Sequence, residues 1–119
     1  MSVHINFNLD HPFFLEPLRV RVEWKFPFLP RVKESVNPWI WIEEAPISRE
    51  KIEKLLSSEG RESLESENFS GENTLNDWLY EVGIECDIVY RISYYKDDKA
   101  EPHEIYINMY LNDTGVYHR

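Results

Sequence analysis

Four histidines, one cysteine and a dense set of carboxylates are the reactive side chains of this sequence, and their spacing limits what they can do. His4, His11, His103 and His118 include no HxH or HxxxH pair, the spacings that put two imidazoles on one strand or helix face. Asp10 and His11 end one patterned run, and Glu101, His103 and Glu104 begin another. A metal could be held there only if those two strand ends meet. Cys86 falls on the apolar side of an expected strand, which suits a buried small hydrophobe rather than a thiolate nucleophile. No serine stands in a GxSxG context. Glu43 and Glu44 are adjacent, and neighbouring strand residues point to opposite faces, so they would not share a proton. Asp97, Asp98 and Asp113 lack calcium-loop spacing, and the four isolated glycines form no phosphate loop. The expectation is a protein without catalytic residue, metal or cofactor.

What remains is charge. The net charge is −9. Residues 43–87 hold thirteen acidic and four basic groups, a net of −9, whereas the rest of the chain holds nine of each. The whole imbalance therefore belongs to one segment. Such a field repels nucleic acid and attracts basic partners. A weakly basic set, with Arg19, Arg21 and Lys25 beside His4, Asn6 and Asn8, shares what reads as a sheet face. The first 42 residues carry only one more basic than acidic group, less than nucleic-acid domains carry.

The elements that must position these groups follow from periodicity. The 119 residues suffice for a single domain over 1–119, with four Trp, seven Tyr and six Phe to fill a core. The run 74–95 organises the rest. Leu75, Trp78, Leu79 and Val82 lie at i, i+3, i+4 and i+7 of a helix. Gly83 then reads as its left-handed C-terminal stop, and the alternation from Ile84 to Tyr94 as the longest strand. Val3, Ile5, Phe7 and Leu9 alternate with polar residues, as do Leu18, Val20, Val22, Trp24 and Phe26. These two strands predict an antiparallel hairpin with its loop at 10–17. Residues 27–38 carry three prolines and read as an irregular crossing, pinned by Phe28, Leu29, Val32 and Val36.

Trp39-Ile40-Trp41-Ile42 is apolar on both sides and reads as a third strand. Either both its faces are covered or one tryptophan face is open for binding. Ser48 caps a helix with Ile47 stapled to Ile52, ending at 57–60, and the glutamate-rich stretch 61–72 reads as a loop. Ile105, Ile107, Met109 and Leu111 make a last strand, in a hairpin with the one before. The resulting order β-β-β-α-α-β-β predicts an α+β domain, with a mainly antiparallel five-stranded sheet and two short helices on one face.

The functional expectation is non-catalytic. Glu43, Glu44, Glu59, Glu62, Glu65, Glu67, Glu72, Asp77, Glu81 and Glu85, with Trp39 and Trp41 as anchors, are the expected partner-binding residues. Carboxylates steer a basic protein, such as a nuclease or other nucleic-acid-processing enzyme, and an aromatic anchor holds it. Bacterial immunity proteins, antitoxins and phage-encoded anti-defence inhibitors, anti-CRISPR proteins among them, share this logic of charge and size. An oligomerising accessory domain, possibly a homodimer, that uses Trp39 and Trp41 or a sheet edge is the alternative. A further one is a small-ligand protein or enzyme with a sheet-helix pocket edged by tyrosines and His103. No signal peptide and no apolar run of membrane-spanning length is evident, so the expected compartment is the cytoplasm.

Overall fold

The structure, a computed structural model, describes residues 2–45, 47–66, 72–95 and 104–116. Alternating apolar and polar residues put β1 (Ser2–Leu9) and β2 (Leu18–Trp24) side by side as the expected antiparallel hairpin, with Ile5 opposite Val22 and Phe7 opposite Val20. Two further strands complete the sheet, β3 (Ile88–Tyr95) and β4 (Glu104–Asn112), also antiparallel to each other. The order is β2-β1-β4-β3, and the central pair β1–β4 is parallel. The sheet is thus mixed and four-stranded, not antiparallel and five-stranded.

The missing strand is a helix. Residues 39–42 open α1 (Trp39–Glu44). Asn37 Oδ1 accepts the N–H of Trp39 at 3.0 Å, and the N–H of Ile42 donates to the Pro38 carbonyl at 2.9 Å. Asn followed by Pro is a helix start, because proline has no N–H to lose in the first turn and its φ is preset. The residues are apolar on two sides because both are covered. Trp41 and Ile42 are buried, and Trp39 is half-buried, stacked on Tyr80 with ring centres 4.9 Å apart.

α2 (Arg49–Leu55) begins at its expected cap, where Ser48 Oγ accepts the N–H of Lys51 at 3.2 Å. Of the stretch expected as a loop at 61–72, residues 61–66 lie instead within α3 (Ser58–Ser66), and 67–71 fall outside the described residues. Ser57 Oγ accepts the N–H of Gly60 at 3.1 Å and donates to the Pro12 carbonyl at 2.7 Å, so one side chain caps α3 and ties it to the first hairpin. Gly60 and Leu64 are its buried residues. So sparse a stripe leaves little helical period to read.

α4 (Glu72–Ile84) buries Leu75, Trp78, Leu79 and Val82, as the spacing requires. It does not stop at Gly83. That glycine lies inside the helix, and a Cβ on it would come within 2.6 Å of Pro38 Cγ and 2.9 Å of Trp41 Cζ2. Its role is close approach of α1 to α4. Residues 84–87 therefore belong to the helix end and a turn, and β3 starts four residues later than expected. β3 is also bulged at Tyr90, between Val89 opposite Leu111 and Arg91 opposite Tyr110. The bulge reverses the strand's parity, so Val89 enters the core and Tyr90 turns to the other face beside Tyr110.

The core fills the space between the helices and one face of the sheet, centred on Ile5, Phe7, Leu18, Trp41, Ile52, Trp78 and Met109. In the crossing at 27–38, Val36 is buried but Phe28 and Val32 are exposed, so they do not pin it. No helix among the described residues is long and apolar enough to cross a membrane. The expected reversal at 96–101 lies outside the described residues.

Candidate functional site

All four helices among the described residues present carboxylates to solvent, and those of α2 are paired with its own cations. α1 ends on exposed Glu43 and Glu44. On α3, Glu59, Glu62 and Glu65 recur every three residues and are all exposed. On α4, exposed Asp77 and Glu81 are four residues apart, and exposed Glu85 follows the helix end. Glu72 begins α4, but its side chain, like the whole of Glu67, lies outside the described residues.

The four cations of the segment attend α2 and its surroundings. Arg49 lies 3.8 Å from Glu53, and Lys54 lies 3.2 Å from Glu50. Arg61 donates to the Glu53 carbonyl at 3.0 Å, and Lys51 to the Arg19 carbonyl at 2.9 Å. α2 is thereby neutralised within itself. Among the described residues, Glu43, Glu44, Glu59, Glu62, Glu65, Asp77 and Glu81 form no ion pair.

Two of the expected residues meet in a hollow of about 570 Å³, where Glu59 and Glu85 face Asp10, His11, Asn112 and Asp113. His11 is buried, with its ring against Phe13 at 4.4 Å between centres. Its Nδ1 accepts the N–H of Phe13 at 3.0 Å, which leaves the proton of the neutral ring on Nε2, 3.5 Å from Glu85 Oε2. Asp10, His11 and Asp113 join this acidic surface through the sheet topology, since the ends of β1 and β4 are neighbours. The same topology separates the ends that a metal site would have required. β1 and β4 run parallel, so Asp10 lies at the opposite end of the sheet from Glu104, which instead sits 3.7 Å from His4 Nε2. Glu101 and His103 lie outside the described residues. No group of three His, Cys, Asp or Glu side chains among the described residues is placed to hold a metal.

The tryptophans differ from expectation. Trp41 is 1 % exposed and packed under α4, so it offers a partner no surface. Trp39 keeps a half-exposed ring beside Tyr80 at the edge of the acidic helices. Cys86 is buried just past α4, not on a strand. Burial, reinforced by the negative charge of Asp87, Glu85, Asp10 and Asp113, pushes its thiol up to about 12. Burial also raises Asp87 above the usual carboxylate range.

The opposite face of the sheet is polar but closed on itself. Asn6 is fully buried at its centre: its Oδ1 accepts from Arg21 Nε at 2.8 Å, and its Nδ2 donates to Tyr95 Oη at 2.7 Å. The Arg21 guanidinium lies 5.0 Å from the Tyr106 ring centre, and that of Arg91 lies 5.5 Å from Tyr110. These arginines are engaged by the face itself rather than presented to phosphate. Tyr90, Tyr95, Tyr106 and Tyr110, too, line this face and not a pocket under the helices. No family model, curated protein or solved structure matches the chain.

Proposed function

We propose that this chain is a non-catalytic, acidic protein-binding module of the inhibitor or immunity type. Its partner is a basic protein, with nucleic-acid-processing enzymes, including those of anti-phage defence, as the class to test. One observation carries the reading: among the described residues, the cations of the acidic segment attend α2, and the exposed Glu43, Glu44, Glu59, Glu62, Glu65, Asp77 and Glu81 of α1, α3 and α4 form no ion pair. Uncompensated carboxylates raise the encounter rate with a basic groove, and they do so more at low salt. The half-exposed Trp39–Tyr80 pair is the aromatic contact beside them. Nuclease targets of this kind work in the cytoplasm, which is the compartment this reading implies.

The test is a binding titration against basic nucleases across a salt series. Association should slow steeply as salt rises, and Glu62→Lys with Glu65→Lys should lower the on-rate by about tenfold or more while leaving the melting temperature in place. An on-rate indifferent to both salt and charge reversal would exclude electrostatic capture by α3.

A further inference from the structure

Among the described residues, backbone covers the start of one sheet edge, and the other has no strand beside it. At the β3 edge, residues 33–36 lie alongside the strand. Ser35 bridges Ile88, the N–H of Lys33 donates to the Val89 carbonyl at 2.8 Å, and the N–H of Val89 donates to the Glu34 carbonyl at 2.9 Å. The bulge at Tyr90 distorts that edge further. β2 has neither protection. It pairs with β1 alone and runs seven residues without proline, glycine or bulge. Among the described residues, the contact on its outer backbone is Lys51 Nζ, which donates to the Arg19 carbonyl at 2.9 Å. A carbonyl has a second lone pair, so this contact leaves room for a ladder bond at Arg19. A bare, regular edge is a template for another strand.

The charge order along β2 selects that strand. Arg19, Arg21 and Glu23 are its exposed residues, and Val20 and Val22 are buried. We infer that β2 pairs antiparallel with β2 of a second copy of this chain, about a two-fold axis at Arg21, joining two sheets into one. In that register Arg19 stands opposite Glu23 of the second copy, and the two-fold makes the pair twice. Centring on Val20 would set Arg19 against Arg21 twice. Centring on Val22 would gain Arg21 opposite Glu23 but set Arg19 against Lys25 twice. Arg21 meets its own copy on the axis, yet its guanidinium is drawn inward by Asn6 and the Tyr106 ring. Val20 and Val22 are already buried within each copy, so association rests on ladder bonds and charge pairs and is weak and salt-sensitive.

The test is sedimentation of the full chain over a concentration series. A monomer–dimer equilibrium is expected. Arg19→Glu and Glu23→Arg should each weaken it by about tenfold, and the two together should restore it. A folding defect in either single variant would add in the double rather than cancel. Arg21→Cys should form an interchain disulfide under mild oxidation, because cross-strand partners lie about 4.5–5.5 Å apart at Cα, within disulfide reach. Lys54→Cys should not, and buried Cys86 does not compete. The inference is overturned if the chain stays monomeric throughout, if neither charge reversal changes the dimer, or if Arg21→Cys cross-links no faster than Lys54→Cys.

Discussion

Gly83 separates two physical readings of one glycine. As a left-handed stop, it would tolerate asparagine and lose about 1 kcal/mol to alanine. As the point where α1 touches α4, it tolerates neither, because any Cβ meets Pro38 and Trp41. Gly83→Ala should therefore lower stability by about 1–3 kcal/mol in urea unfolding, and Gly83→Asn by more. Three residues on, Cys86 gives a pH dependence. Its folded value is raised to about 12 from an ordinary 9.0, so the fold favours the protonated thiol. That contribution is fully present below pH 9 and is lost as pH climbs from 9 towards 12. Wild type should lose stability across this window more steeply than Cys86→Ala, and the native thiol should resist alkylation until the chain unfolds. Equal slopes would show that the buried thiol does not sense its surroundings. The burial of Cys86 was expected, but from a strand that residues 84–87 do not form; the packing role of Gly83 was not legible, since Pro38 is 45 residues away in sequence.

The elements divide by how much of their stability is local. β1, β2, β4, α2 and the buried stripe of α4 carry their own periodicity and caps, and each can be read from the sequence. α1 and α3 cannot be read from periodicity. Both are short, and both begin on a side-chain cap, Asn37 for α1 and Ser57 for α3. Those caps were the available signal. Packing then settles what a four-residue apolar run becomes: between β2 and α4, Trp41 fills space as a helical residue. Trp41→Ala should cost about 3–5 kcal/mol of stability, measured by denaturant unfolding, as for a buried large aromatic. A loss below about 1 kcal/mol would mean that α1 is a dispensable surface turn rather than part of the core.

For the molecule as a whole, the arrangement of charge matters more than its amount. The excess of acid is visible in composition, and so is its partial neutralisation, since Arg49 with Glu53 and Glu50 with Lys54 pair four residues apart on α2 itself. α2 keeps its own pairs, and α1, α3 and α4 are left negative. Mutual repulsion among such groups opposes compactness. The Glu62→Lys and Glu65→Lys changes that slow partner capture should therefore hold or raise the melting temperature, and a lowered one would mean these side chains support the fold instead. The parallel pairing of β1 with β4 acts at the same scale. It gathers Asp10, His11 and Asp113 with Glu59 and Glu85 at one end of the sheet, and places His4 and Glu104 at the other.

Taken by itself, the sequence determined the α+β class, both hairpins, the core stripes of four elements and the confinement of negative charge to residues 43–87. These are properties of near neighbours, set by periods of two and 3.6 residues and by composition. Tertiary structure alone decided the central parallel pair, the helical state of residues 39–44 and the burial of Trp41. Each of these depends on contacts between residues far apart in the chain, where local preference is weak and the competing conformations differ by less than the packing energy that chooses between them.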